Sequence, residues 1–427
     1  MIDTRLLLDD FDETARRLAR KGVDIALVDE CRRLAEARRA QIRLVDAGRQ
    51  EMNAGSSDVG ALMRAGRKEE ADALRLDLSA RRANVEALER ELRRVEADLD
   101  DAMARLPNLP ADDVPEGRSE DDNVILRTVG YDPDSYAGRE WLPHWEIAER
   151  LGILDAERAA KLSGTMFALL KGDGARLLRG LTAFALDLHR DSYEEIVPPH
   201  VVRGEVIAKT GHLTKFDTQA YRLRDDDLWL LPTGEVALVG LHQGEILAEA
   251  DLPLRYMAYT TCWRREAGAA GKETRGMQRL HEFHKVELVK LCKPEDGEAE
   301  FHALVADAAR PLEVLGLPYR VVELCSGDLT FSASRVYDLE VYSPGVGRWL
   351  EVSSISLVTD FQSRRGQIRF RRDGGGVEFV YALNGSGLAT PRVWATIVEH
   401  GLTADGTVVL PPALAAYVGV DTLRGRA

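Results

Sequence analysis

Cysteine is scarce in this 427-residue chain: the 4 that occur, Cys31, Cys262, Cys292 and Cys325, never stand in a C-x-x-C pair. That spacing excludes a zinc ribbon and a disulfide framework, and it suits a reducing, cytoplasmic setting. No 18-residue apolar run occurs, and residues 1–13 carry acids where a signal peptide needs an apolar stretch. Neither a membrane span nor a secretory leader is therefore expected. Positive charge is in deficit, with a formal net charge of -14. An acidic body repels phosphate, so nucleic acid can be met only through a locally neutral or basic element. With 45% hydrophobic and 30% charged residues, the chain can bury a core without covalent staples.

The first 106 residues supply such an element. Leu27, Cys31, Leu34, Val45 and Met52 form one apolar seam, and Leu74, Leu78, Val85, Leu88, Leu92, Val95 and Leu99 form a second. Steps of three and four residues mark a coiled coil over about 27–105, with a Gly/Ser/Asn-rich break expected at 53–60. Two readings fit: an antiparallel hairpin within one chain, or a dimerisation coiled coil. Acids and bases are near parity here, and most of the arginines (Arg32, Arg33, Arg38, Arg39, Arg81, Arg82, Arg93, Arg94) read as a solvated face. Pro107, Pro110 and Pro115 then stop the helix and predict a linker over 107–139.

From 140 to 427 the pattern is mixed. A helix is expected over 175–190, an apolar strand over 193–202, a hairpin with its tip at Asp373-Gly374-Gly375-Gly376, and a final helix over 391–400. Several short strands with few helices between them predict an α+β fold with an antiparallel sheet flanked by helices.

Four segments carry chemistry-bearing residues: Pro232-Thr233-Gly234-Glu235; a stretch from Cys262-Trp263-Arg264-Arg265-Glu266 through Arg279 to His281-Glu282-Phe283-His284-Lys285-Val286-Glu287; Glu351-Val352-Ser353-Ser354; and Leu383-Asn384-Gly385-Ser386 through Arg392. Arg264 and Glu266 alternate, as on one face of a strand, and a second strand is expected to end at Glu287. Guanidinium and carboxylate groups aimed into one cavity suit a magnesium-bound nucleotide triphosphate. Arg392 falls at a helix start, where the dipole adds to its attraction for phosphate. Taken singly, each charge is better explained by a surface ion pair; their grouping on adjacent strands that also hold glycines favours a site. Two motifs fail on spacing. Gly268 to Thr274 lacks the phosphate-loop pattern, and His281-Glu282-Phe283-His284 is one residue short of a zinc-protease helix.

These segments, in this order, resemble the bacterial-type seryl-tRNA synthetases, a class II aminoacyl-tRNA synthetase family. The resemblance runs from the arm to the C-terminus and includes Leu106-Pro107-Asn108-Leu109-Pro110 and Tyr337-Asp338-Leu339-Glu340-Val341. It implies a class II antiparallel catalytic sheet, a helical hairpin that binds tRNA(Ser) (and tRNA(Sec) where present), and a homodimer formed around 175–199. It implies activation of L-serine with ATP, then transfer to the 3′-terminal ribose of tRNA. By resemblance, Arg264, Arg392 and Glu266 are catalytic. ATP falls to Arg264, Arg265, Glu266, Arg279, Phe283, Glu351, Val352, Ser353, Ser354 and Arg392, and serine to Thr233, Gly234, Glu235, Arg264, Glu287, Asn384 and Ser386. Magnesium accompanies ATP at Glu351 and Ser354, and zinc is not expected.

Several positions depart from the family pattern. Gly234 and Ala237 replace alanine and proline, Glu282 replaces glutamine, and Ile355, Leu357 and Val358 replace cysteine, asparagine and cysteine. The last set is expected to make the strand beside the site more apolar. A specialised paralogue, serving antibiotic resistance or a tRNA-dependent biosynthetic pathway, is the alternative this raises. The retained arginines argue against a non-catalytic tRNA-binding homologue, and the arm argues against an enzyme that loads carrier proteins.

Overall fold

The computed structural model describes residues 1–212, 218–267 and 274–425. Two compact units result, residues 2–107 and residues 108–427 together with Met1.

The first unit is dominated by α1 (Ile25–Arg64) and α2 (Lys68–Ala104), preceded by short helices Thr4–Asp9 and Phe11–Ala19. The two long helices run antiparallel within one chain, which decides between the two coiled-coil readings. Val28, Cys31, Ala35 and Val45 are buried on one, and Ala71, Leu78, Val85, Val95 and Leu99 on the other. Ion pairs Arg38–Glu96, Arg49–Glu89 and Arg81–Glu51 bridge them in steady register.

The break expected at 53–60 is a correction: helix α1 continues through it. Val45, Gly48, Met52, Gly55, Val59 and Leu62 keep the three–four alternation, so its glycines are seam positions. A side chain at Gly48 would sit 2.8 Å from Val85 Cγ2, and one at Gly55 2.6 Å from Leu78 Cδ2. Close approach of the helices offsets the roughly 1 kcal/mol that glycine costs in a helix. The reversal comes at Gly66, with φ +75°, where the Arg67 N–H donates to Leu62 O and the Gly66 N–H to Met63 O. Those two bonds close a left-handed helix end that glycine tolerates best.

The second unit is built on an eight-stranded sheet: β1 (Val124–Val129), β2 (Glu194–Glu195), β3 (Leu254–Trp263), β4 (Glu282–Cys292), β5 (Tyr319–Glu323), β6 (Arg335–Ser343), β7 (Arg348–Thr359) and β8 (Tyr381–Ala389). The spatial order is β1-β5-β6-β7-β8-β4-β3-β2, antiparallel throughout except for the β2–β3 edge. Helices α3 (His144–Arg150), α4 (Asp173–His189), α5 (Gly234–Gly240), α6 (Gly297–Val314) and α7 (Thr390–His400) complete the part that matters here.

Side chains alternate across each strand. Val286, Leu288, Leu339, Val341, Ile355 and Leu357 enter one core with Phe301 and Leu304 of α6, Leu177 and Leu181 of α4, and Val393 and Trp394 of α7. Each such large side chain is worth about 1.5–3 kcal/mol when fully buried. The opposite face is left for polar residues.

Other expectations need correction. The stretch 107–139 is no free linker from Asn108 on. The Asn108 amide donates to Ser332 O and Val358 O, Val114 packs with Leu324 and Val336, and β1 pairs with β5. The strand expected over 193–202 is interrupted, because Pro198 and Pro199 offer no N–H; only Glu194–Glu195 and Val201–Arg203 pair. Helix α4, the hairpin tip at 373–376 and α7 stand where expected, but α7 is followed by a further helix, Pro412–Val418.

Candidate active site

Sheet register assembles the polar face. Glu287 on β4 lies opposite Ser386 on β8; β8 in turn pairs with β7, where Ile355 faces Gly385; Ser354 on β7 faces Asp338 on β6. Glu287, Ser386, Ser354 and Asp338 thus form a row across the four central strands, flanked by Lys285 and Phe283 on β4 and by Asn384 on β8. Glu351 faces Glu340 one step along, because an irregularity between Glu351 and Ser353 shifts the ladder.

One end of this floor is a closed network. Thr233 caps α5, and its hydroxyl donates to Glu287 Oε2 at 2.6 Å. Lys285 pairs with the same carboxylate. Glu235 accepts from Gln362 Nε2 at 2.7 Å and Asn384 Nδ2 at 2.9 Å, with His212 Nε2 3.4 Å away. A side chain at Gly234 would lie 3.0 Å from Glu287 Cβ and 3.1 Å from Thr260 Oγ1, so a small residue lets α5 seat here. The two carboxyls behave differently. Burial pushes Glu287 above the usual range, and the Lys285 ammonium only partly opposes it. Burial also works against ionisation of Glu235, but His212, Gln362 and Lys285 outweigh it and hold this carboxyl below its usual range. Two buried carboxyls facing Lys285 and His212 make this the electronegative corner of the floor, suited to an ammonium group.

The other end gathers guanidinium groups. Arg392, in the first turn of α7, donates through Nη1 to Glu351 O at 2.5 Å and through Nε to Gln278 O at 3.1 Å; its Nη1 lies 3.7 Å from Glu351 Oε2. Arg279 pairs with Glu266 at 2.6 Å. Arg264 donates to Pro232 O at 3.2 Å and lies 5.1 Å from the centre of the Phe283 ring. Asp338 is pushed well above its usual range, first by burial and then by the charge of Glu351, and its buried Oδ1 has no hydrogen-bond partner. No group of three or more His, Cys, Asp or Glu side chains able to hold a metal ion by itself occurs among the described residues.

Most expected residues therefore converge, but not as the alternation suggested. Strand β3 ends at Trp263, and Arg264 and Glu266 lie in the following loop, Glu266 with φ +49°. Glu287 is in the middle of β4, not at its end. Arg265 turns away, donating to Ala220 O and lying over Tyr221. Val352 sits in the core, so only its backbone can meet a ligand, and the Ser353 hydroxyl donates to Ser386 O. Ile355 and Leu357 also belong to the core face, so their departure from the family pattern leaves the polar face intact. Residues 268–273, which hold most of the glycine–lysine decoy, lie outside the described residues; the histidine decoy is on a strand, where His284 bonds the Tyr259 hydroxyl.

Sequence reasoning gave no role to Lys285, His212, Gln362, Asp338, Gln278 or Arg348. Lys285 was within reach, since a residue two positions from Glu287 on a strand shares its face. Gln278 too was within reach, beside Arg279 in the stretch already named; His212, Gln362, Asp338 and Arg348 come from segments that only the fold brings near.

A family model described as the seryl-tRNA synthetase N-terminal domain matches residues 1–110, and one for the class II tRNA synthetase core domain (G, H, P, S and T) matches 216–401. The serine–tRNA ligase of Geobacillus kaustophilus (strain HTA426) is 45% identical, covering 98% of this chain and 99% of that protein. That of Bacillus subtilis (strain 168) is 45% identical, covering 98% of each. Among solved structures, seryl-tRNA synthetase from Pyrococcus horikoshii complexed with ATP matches at a TM-score of 0.92 and 33% identity over 100% of both chains. The cytoplasmic serine–tRNA ligase of Naegleria fowleri with AMP matches at 0.88 and 27%, over 100% of this chain and 99% of that one.

Proposed function

The chain belongs to the seryl-tRNA synthetase family, and from that premise we propose how its residues divide the work of an ATP-dependent serine–tRNA ligase. The serine carboxylate attacks the α-phosphorus of ATP, giving seryl-adenylate and pyrophosphate. The terminal ribose hydroxyl of tRNA(Ser) then attacks the adenylate carbonyl carbon and AMP leaves. Neither step needs a protein nucleophile; both need alignment and neutralisation of charge.

The observation that carries the amino-acid assignment is the buried pair Glu287 and Glu235, held by Thr233, Lys285, Gln362, Asn384 and His212. The serine ammonium is drawn to these two carboxyls, and Thr233, Asn384 and Ser386 surround the hydroxyl. An alanine in that place would leave buried polar groups unpaired, which is how such a pocket discriminates. Arg264 meets the α-phosphate and the serine carboxylate, Arg392 takes the γ-phosphate with help from Arg279, Glu266 contacts ATP, and Phe283 stacks on adenine. Glu351 and Ser354, beside the unpartnered Oδ1 of Asp338, offer hard oxygen ligands that fit magnesium. When bound with ATP, that ion neutralises phosphate charge.

The arm takes tRNA(Ser), which the match of residues 1–110 supports. A homodimer formed around 175–199 is the assembly that membership of the family supports. No helix of the described residues is long and apolar enough to cross a membrane, and the reading is of a cytoplasmic enzyme. An ordinary housekeeping role is favoured over a specialised one, because the Ile355 and Leu357 departures point away from the pocket.

Deleting residues 27–105 tests the division of labour. Serine-dependent ATP–pyrophosphate exchange should stay within about threefold of the full chain while charging of tRNA is lost. Equal loss of both would refute a separate tRNA-binding arm.

A further inference from the structure

A second polar network lies wholly inside the catalytic unit, away from the sheet's polar face. His144, the first residue of α3, and Glu399, near the end of α7, are both 0% exposed. Glu399 Oε1 accepts from the His144 backbone N–H at 3.0 Å and meets His144 Nδ1 at 2.9 Å. Its Oε2 accepts from the Ser343 hydroxyl and from the Gly345 N–H at 3.1 Å. The far side of the imidazole, Nε2, accepts from the Met277 N–H at 2.9 Å. Because Nε2 is an acceptor, the ring proton resides on Nδ1 and points at Glu399; the hydrogen bonds select that tautomer.

Met277 is next to Gln278, whose carbonyl receives Arg392 and whose side-chain oxygen receives Arg348 at 2.7 Å. Arg279, paired with Glu266, follows directly. The segment 276–279 is thus fastened twice to α7: directly through Arg392 in its first turn, and through His144 to Glu399 two turns later. Gly276 shows how tight the second fastening is. It adopts φ +63°, and a side chain there would come within 2.3 Å of His144 Nε2.

We propose that His144, oriented by Glu399, is a positioning residue for ATP activation, holding segment 276–279 so that Arg392 and Arg279 face the triphosphate. The inference rests on the assignment of those arginines to ATP. A buried donor left unpaired is costly, so loss of the imidazole acceptor releases Met277 N–H and lets the segment drift. Displacements of that kind are expensive in rate even when no group touching the substrate is changed.

The test compares His144→Leu, His144→Gln and Arg392→Ala in the full-length enzyme by steady-state ATP–pyrophosphate exchange, well below each variant's melting temperature. His144→Leu should raise KM for ATP at least tenfold and lower kcat by a similar factor, with KM for serine within about twofold. His144→Gln, which offers both an acceptor and a donor, should recover most of the loss. Unchanged constants for a folded His144→Leu, or equal changes for ATP and serine, would overturn the proposal and leave the pair a structural one. Should His144→Leu fail to fold, Ser343→Ala loosens Glu399 more gently; a two- to threefold rise confined to KM for ATP supports the proposal, and any other pattern rejects it. Arg392→Ala separates the two levels. If it leaves KM for ATP unchanged, the ATP assignment is at fault, whatever the His144 variants do.

Discussion

The arm and the catalytic sheet use charge in opposite ways. In the arm, guanidinium and carboxylate groups sit on the surface: Arg94 reaches Glu91 and Asp98, and Arg67 reaches Glu70, all largely exposed. Solvent screens such pairs, and they contribute little to stability. Helix α1 and helix α2 are held by an apolar seam. In the catalytic unit, Glu287, Glu235, Lys285 and Lys290 are nearly inaccessible, and each needs named partners because an unpaired charge there is expensive. The lesson is that the same residue types read as solvation in one unit and as a site in the other, and burial makes the difference.

The largest test of that contrast is Glu287→Ala. Serine-dependent exchange should fall at least ~10²-fold, about 2.7 kcal/mol in the barrier, because Thr233, Lys285 and the substrate ammonium lose their common acceptor. Near-normal exchange would remove Glu287 from the pocket.

In the catalytic unit a buried histidine couples stability to pH. Burial lowers His189 from its usual value to about 4, and its Nε2 has no partner. The unfolded chain therefore binds this proton first as pH falls. The cost begins below the unfolded value near 6.5, grows as pH drops, and is complete at the folded value. Between pH 7 and pH 5 about 2 kcal/mol of stability should be lost, and His189→Gln should flatten that slope. All 6 tryptophans lie beyond residue 140, so urea unfolding followed by tryptophan fluorescence reads this unit. An identical slope in the variant would exclude His189 as the source.

Overpacking the arm should cost less. Gly48→Leu forces a side chain against Val85, a strain of about 1–3 kcal/mol, partly offset by roughly 0.8 kcal/mol of regained helix propensity. A net loss near 1 kcal/mol should appear in unfolding followed by far-UV circular dichroism, with exchange activity unaltered. The smallest effect is expected from Arg94→Ala. Its urea midpoint should match that of the parent within error; a clear drop would mean that surface pairs matter more in this hairpin than their exposure implies.

Much of this was legible in the chain itself. The alternating three- and four-residue seams specify a helical hairpin because apolar periodicity must match helix geometry. The motif residues around Arg264, Glu287, Glu351 and Arg392 announce a charged site by their density. Glycine misled the reading at 53–60, since propensity alone cannot tell a chain break from a seam position where another helix comes close. Which of two adjacent residues joins the polar face was also out of reach: Arg264 against Arg265, or Ser354 against Ser353, depends on where β3 stops and where β7 slips by one residue.

Local patterning, then, determined the elements and the inventory of reactive groups, because periodicity and backbone preference act over a few neighbours. The long-range pairing of strands decided the rest. It aligned Glu287, Ser386, Ser354 and Asp338 across four strands, turned Ile355 and Leu357 inward, and brought His144 and Glu399 together from 255 positions apart. No short-range rule encodes such meetings, since they exist only once the sheet has closed over its core.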